Sequence, residues 1–139
     1  MFRSETINIA IDCPWQDVYE FLAEPLNLPT WSSDLGTSIR HIGGTDWVSD
    51  TPEGPVTIRF SPRNPHGVLD HAIFREGEPV LTTPTRVFAN DGGAEIAYTM
   101  FQRPGISDAQ FASELEWIRS DLLALKSLLE ARSHIRPDV

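Results

Sequence analysis

The 139-residue sequence predicts an α+β fold: a curved antiparallel sheet of about seven strands, two short helices after the first strand, and one long C-terminal helix covering the sheet. Three observations predict it. Phe111, Leu115, Ile118, Leu122, Leu125 and Leu129 recur at steps of four and three, so residues 107–132 carry one apolar stripe on a 3.6-residue spiral. The middle of the chain reads as strand after strand with short turn-forming stretches between. No other segment has the pattern of a long helix, so the partner of that stripe must be the sheet. At ~1.5 Å per residue the helix runs on the order of 38 Å, longer than any strand, and must lie along the whole of what it covers.

In chain order, Ile7, Ile9 and Ile11 alternate with Thr6, Asn8 and Ala10, the period of a half-buried strand. Asp12-Cys13-Pro14 opens a short helix, because a proline at an early helical position loses no hydrogen bond; Val18, Phe21 and Leu22 give it an apolar side. Glu24-Pro25 ends it. Residues 26–31 (Leu-Asn-Leu-Pro-Thr-Trp) are too few and too proline-bound for more than a single turn or a second short helix. Strands follow near 37–42, 45–49, 56–60, 68–75, 82–89 and 94–102, with Gly43-Gly44 and Asn90-Asp91-Gly92-Gly93 as the clearest turns. Loops this short join antiparallel neighbours, since parallel ones need a crossover of about a dozen residues or more. Ser107 caps the long helix, Gln110 is spaced to reach back to its amide, and Ile106 and Phe111 flank the cap as a hydrophobic staple.

Composition narrows the function. The chain is read as a single domain over 1–139, with 40% hydrophobic and 22% charged residues and no apolar run near the ~20 residues of a membrane span. Its first residues lack an apolar secretory core, and the lone Cys13 cannot form an internal disulfide, so a cytoplasmic location is expected. A net charge of -9, with basic residues scattered singly apart from Arg59, Arg63 and Arg75, argues against nucleic-acid and anionic-membrane partners. A homodimer is left open. The four histidines, His41, His66, His71 and His134, show no metal spacing, and there is no GxGxxG, P-loop or GxSxG motif, so neither metal nor nucleotide cofactor is expected. Cys13 sits beside Pro14 at the mouth of a helix, where a structural role in the cap is the simpler reading than a stabilised thiolate.

The order of elements, with residues 7–19 (INIAIDCPWQDVY) and 27–31 (NLPTW), resembles the START-like, SRPBCC superfamily and its Bet v 1-like helix-grip fold. Arg63 with Gly67-Val68-Leu69-Asp70-His71, then Arg86-Val87-Phe88-Ala89-Asn90, then residues 101–108 (FQRPGISD), are similar to bacterial members known as polyketide cyclase/dehydrase-like. The resemblance covers nearly the whole chain. It implies a cavity between sheet and long helix; superfamily members bind lipids, hormones and aromatic polyketides, and only some catalyse a reaction. It brings no catalytic motif that transfers residue by residue.

The residues themselves supply candidates. Along the strand near 68–75, Leu69, His71 and Ile73 share one face and Asp70, Ala72 and Phe74 the other, so Asp70 and His71 cannot enter one cavity as an acid/base pair. Flanked by Leu69 and Ile73, His71 is the inward one. It is either the catalytic acid/base or polar contact of the cavity, donating to a ligand carbonyl, or simply a wall histidine satisfied by a neighbour. Tyr98, between Ile96 and Met100, needs a hydroxyl partner inside. Trp31, Trp47, Phe60, Phe88, Trp117 and Ile118 complete the predicted cavity lining with His71 and Tyr98, although large rings under one helix also serve plain packing. Val56, Ile58 and Phe60 form an apolar face that puts Thr57 and Arg59 outside. The leading expectation is therefore a binding protein for a small apolar or aromatic molecule. The alternatives are a cyclase, aromatase or dehydratase using His71, which needs a second ionisable group facing the same cavity, and a protein-interaction module without ligand.

Overall fold

The structure is a computed structural model that describes residues 1–33 and 38–135. Alternation builds its first strand, β1 (Ser4–Ile11), which buries Ile7, Ile9 and Ile11 and turns Thr6, Asn8 and Ala10 outward. After Pro14 comes α1 (Trp15–Ala23), whose Val18, Tyr19 and Phe21 are buried. A 3-10 turn, Pro25–Thr30, follows; Pro29 inside it has no amide to donate, which suits a short turn better than an α-helix.

Six further strands complete the described sheet structure: β2 (Ile39–Gly43), β3 (Asp46–Thr51), β4 (Gly54–Phe60), β5 (His71–Phe74), β6 (Thr85–Asn90) and β7 (Gly93–Phe101). The strand placed at 37–42 begins outside the described residues. Every ladder is antiparallel, in the orders β1-β7-β6 and β2-β3-β4-β5.

The pattern predicts one sheet, whereas the structure has two, joined by bridges between Val68 and Arg86 and between His71 and Thr83. The physical reason lies at Leu69 and Thr85. Leu69 N–H donates to Thr85 O at 2.8 Å, but the return bond is displaced by side chains: Asp70 Oδ1 accepts the Thr85 amide at 2.8 Å, and His71 Nδ1 takes the Leu69 carbonyl at 3.1 Å. The strands predicted at 68–75 and 82–89 are therefore shorter than their alternation suggests.

The long helix α2 (Asp108–Ile135) starts behind Ser107, whose Oγ accepts the Gln110 amide at 3.1 Å. Its apolar stripe is buried unevenly. Phe111, Leu122, Leu125 and Leu129 are buried, whereas Leu115 and Ile118 between them are half-buried. Lys126 Nζ donates to Ala10 O at 2.7 Å, and Glu130 Oε2 accepts from Asp12 N at 2.8 Å, so the C-terminal half is tied to the end of β1. The stretch around Ile118 stands further off, which leaves space over the sheet.

A divided cavity between the sheet and the long helix

That space forms two chambers sharing His71, Ile73, Tyr98 and Ile118 as a common wall. The larger, of about 340 Å³, opens outward past Arg75, Glu78, Arg103, Glu114 and Trp117. The smaller, of about 100 Å³, lies deeper among Leu28, Trp31, Ile58, Phe60, Ile96 and Leu122. Register explains the lining: Phe60 pairs with His71, Ile58 with Ile73, and Thr85 with Tyr98, so these side chains share the concave face.

His71 and Tyr98 meet across the two sheets. His71 Nε2 lies 3.2 Å from the Tyr98 hydroxyl, with ring centroids 5.4 Å apart. Because a carbonyl only accepts, the proton of the neutral imidazole sits on Nδ1, facing Leu69 O, and Nε2 is left to accept the Tyr98 O–H. Burial lowers the His71 pKa from its ordinary value, while the Leu69 carbonyl and the Asp70 charge oppose the shift. Asp70 itself faces away, paired with Arg86, so no Asp70–His71 acid/base pair exists.

Asp121, absent from the sequence-derived candidates, is 4% exposed and lines the inner chamber from α2. Its Oδ1 accepts from Ser33 Oγ at 2.7 Å and its Oδ2 from Ser33 N at 3.3 Å. Trp117 Nε1 donates to the same Ser33 Oγ at 2.6 Å. A signal for Asp121 was present: it stands three residues after Ile118 and four before Leu125, within the span of the buried stripe.

The other predicted residues divide. Trp31, Phe60 and Ile118 line the inner chamber, and Trp117, 49% exposed, stands at the rim of the outer one. Phe88 is not at the cavity. With Thr85 and Val87 buried, β6 turns Phe88 outward opposite Glu95, leaving it 46% exposed. Trp47 lines neither chamber; it lies on β3, a strand beyond Ile58, and packs on His41 with centroids 5.0 Å apart. Arg59 is on the outer face, ion-paired with Asp46 at 2.8 Å. Cys13 Sγ donates to Leu129 O at 3.4 Å, and burial pushes its thiol pKa up, so it packs the α1–α2 junction as a protonated thiol. Among the described residues no group of three or more His, Cys, Asp and Glu could hold a metal ion, and no helix is long and apolar enough to cross a membrane.

The seven described strands curling beneath one long C-terminal helix form a helix-grip fold, START/SRPBCC-like in architecture. Among solved structures, the Aha1 dimer from Colwellia psychrerythraea is similar with a TM-score of 0.71 at 16% identity, over 92% of this chain and 96% of that one. Ara h 8.0201 is similar with a TM-score of 0.69 at 14% identity, over 94% and 99% of the two chains. DynU16, a protein of the dynemicin biosynthetic locus, matches with a TM-score of 0.69 at 16% identity, over 91% of this chain and 47% of that one. No protein-family model and no curated protein matches the sequence.

Proposed function

We propose that this protein binds a small, largely apolar or aromatic molecule between the sheet and α2, with the His71–Tyr98 wall supplying polar recognition. The observation that carries the reading is the divided cavity. Its outer chamber of about 340 Å³ falls within the size range of small-molecule pockets, and its inner chamber is apolar around a few convergent polar groups. Membership of DynU16 in a biosynthetic locus is in keeping with a small-molecule ligand.

Native mass spectrometry and thermal shift with flat aromatic and fatty probes test this. A fitting probe is expected to add its mass to the folded chain and, at about 100 times its Kd, to stabilise it by ~2.7 kcal/mol. Ile118→Trp, which fills the shared wall, should abolish both effects while the protein stays folded. Failure of every probe to bind the wild-type chain would sink the proposal.

Acid/base catalysis on a ketide-like substrate is a second reading, favoured by Asp121, an ionisable group lining the same chamber as His71. It requires turnover of a bound compound that is lost in His71→Gln while binding persists. A homodimer, as in the Aha1 neighbour, would show twice the chain mass by light scattering.

A further inference from the structure

We propose that the inner chamber selects ligands that donate hydrogen bonds, namely hydroxy- or amino-substituted aromatic rings, and discriminates against bare rings and carboxylates. This deepens the cavity reading above and rests on it.

The directions of the hydrogen bonds carry the argument. Leu69 O fixes the imidazole proton on Nδ1, so Nε2 draws the Tyr98 proton toward itself, and Tyr98 is not a donor to a ligand while His71 is neutral. The Ser61 hydroxyl donates to Asp70 O at 2.6 Å, and that of Thr85 faces Thr83 O at 3.4 Å. Ser32 also lines the chamber, and among the described residues nothing holds its hydroxyl, which can donate or accept.

On the opposite wall, the indole N–H of Trp117 can only donate, so Ser33 Oγ accepts from it and passes its own proton to Asp121. Both oxygens of Asp121 are therefore acceptors. Among the described residues the donors that reach them come from Ser33 alone, whereas an ionised carboxylate offers about four lone-pair positions. A carboxylate this buried gains from every further donor, and a ligand O–H or N–H would make a charge-assisted bond there. A ligand carboxylate would meet like charge, and a ring bearing only a carbonyl would find Ser32 as its one adjustable donor among these side chains.

Fluorescence titration of the wild-type protein with 2-naphthol, naphthalene, 2-methoxynaphthalene and 2-naphthoate tests the inference: the two-ring frame, too large for the inner chamber alone, would lie across the shared wall with its substituent in the inner chamber, and naphthalene and the methyl ether bracket naphthol in size. We expect 2-naphthol to bind about tenfold tighter than either neutral control, and 2-naphthoate to bind weakest. Asp121→Asn should bring naphthol to within a few-fold of the methyl ether while leaving the ether's own affinity unchanged. Equal binding of naphthol and both controls, or tightest binding of naphthoate, would overturn the inference and leave the cavity reading standing. No binding by any of the four would remove the cavity reading and this inference together. If Asp121→Asn does not fold, the wild-type ranking decides the matter.

Discussion

Because the imidazole of His71 loses more by leaving water than it regains from the Leu69 carbonyl and the Asp70 charge, its folded-state pKa lies below the unfolded value of about 6.5. Between those two values the unfolded chain binds a proton that the folded chain refuses. Stability from this group is thus fully present above about pH 6.5 and is lost as pH falls toward the folded pKa. Urea midpoints measured at pH 7.5 and 5.0 should differ less for His71→Gln than for wild type, since the variant lacks this share of the acid sensitivity. His71→Ala is expected to weaken probe binding while costing only ~1 kcal/mol of stability, because the Tyr98 hydroxyl it abandons borders a cavity that water can enter. A large drop in Tm would instead make the imidazole a structural group. Phe88 supplies the opposite case. Phe88→Thr should change stability by no more than ~0.5 kcal/mol, whereas Val87→Ala beside it should cost ~2 kcal/mol, both read by chemical denaturation.

At the scale of elements, α2 was legible because its burial follows a period that sequence displays directly, and β1 and β4 were legible for the same reason at period two. The faces of β4 and β7 could be assigned from their own alternation. Phe88 faces out against expectation because Val87 and Phe88 are both apolar, and adjacent apolar residues do not say which of them faces in. Asp121 had a local signal, but its partner Ser33 lies 88 residues away, and no spacing rule connects two such positions. The break between β5 and β6 was hidden similarly, since it depends on two side chains taking over the ladder bonds of Leu69 and Thr85. Gly67, just before that break, has φ +72°, and an added Cβ would run into the Val87 carbonyl. Neither backbone can yield without losing the bond from Val87 N to Gly67 O, so Gly67→Ala should cost at least ~2 kcal/mol in a urea melt. Leu125→Ala, which empties a buried position of α2, should cost ~3 kcal/mol.

For the molecule as a whole, the uneven grip of α2 allots different tasks to its two halves. The C-terminal half, with Leu122, Leu125 and Leu129 buried and Lys126 and Glu130 tied to β1 and the residue after it, holds the core together. The stretch around Ile118 is held less tightly and roofs the cavity. Cavity-filling there should therefore abolish ligand uptake at little cost in folding, whereas truncation in the other half should lower the denaturation midpoint and leave uptake by the folded protein in place, a contrast that paired binding and denaturation curves on Ile118→Trp and Leu125→Ala would display.

The junction of the two sheets runs through His71, and His71 also walls both chambers. His71 and Thr83 exchange both ladder bonds, but Leu69 and Thr85 exchange only one, and there the backbone amides should exchange with deuterated solvent ahead of the surrounding strands. An occupant pressed against His71 and Tyr98 would clamp the two halves from inside, so filling the cavity should slow exchange at Leu69, Thr83 and Thr85, residues of which Leu69 and Thr85 border only the inner chamber and Thr83 only the outer. Breathing of the empty protein and admission of its ligand would then be one motion.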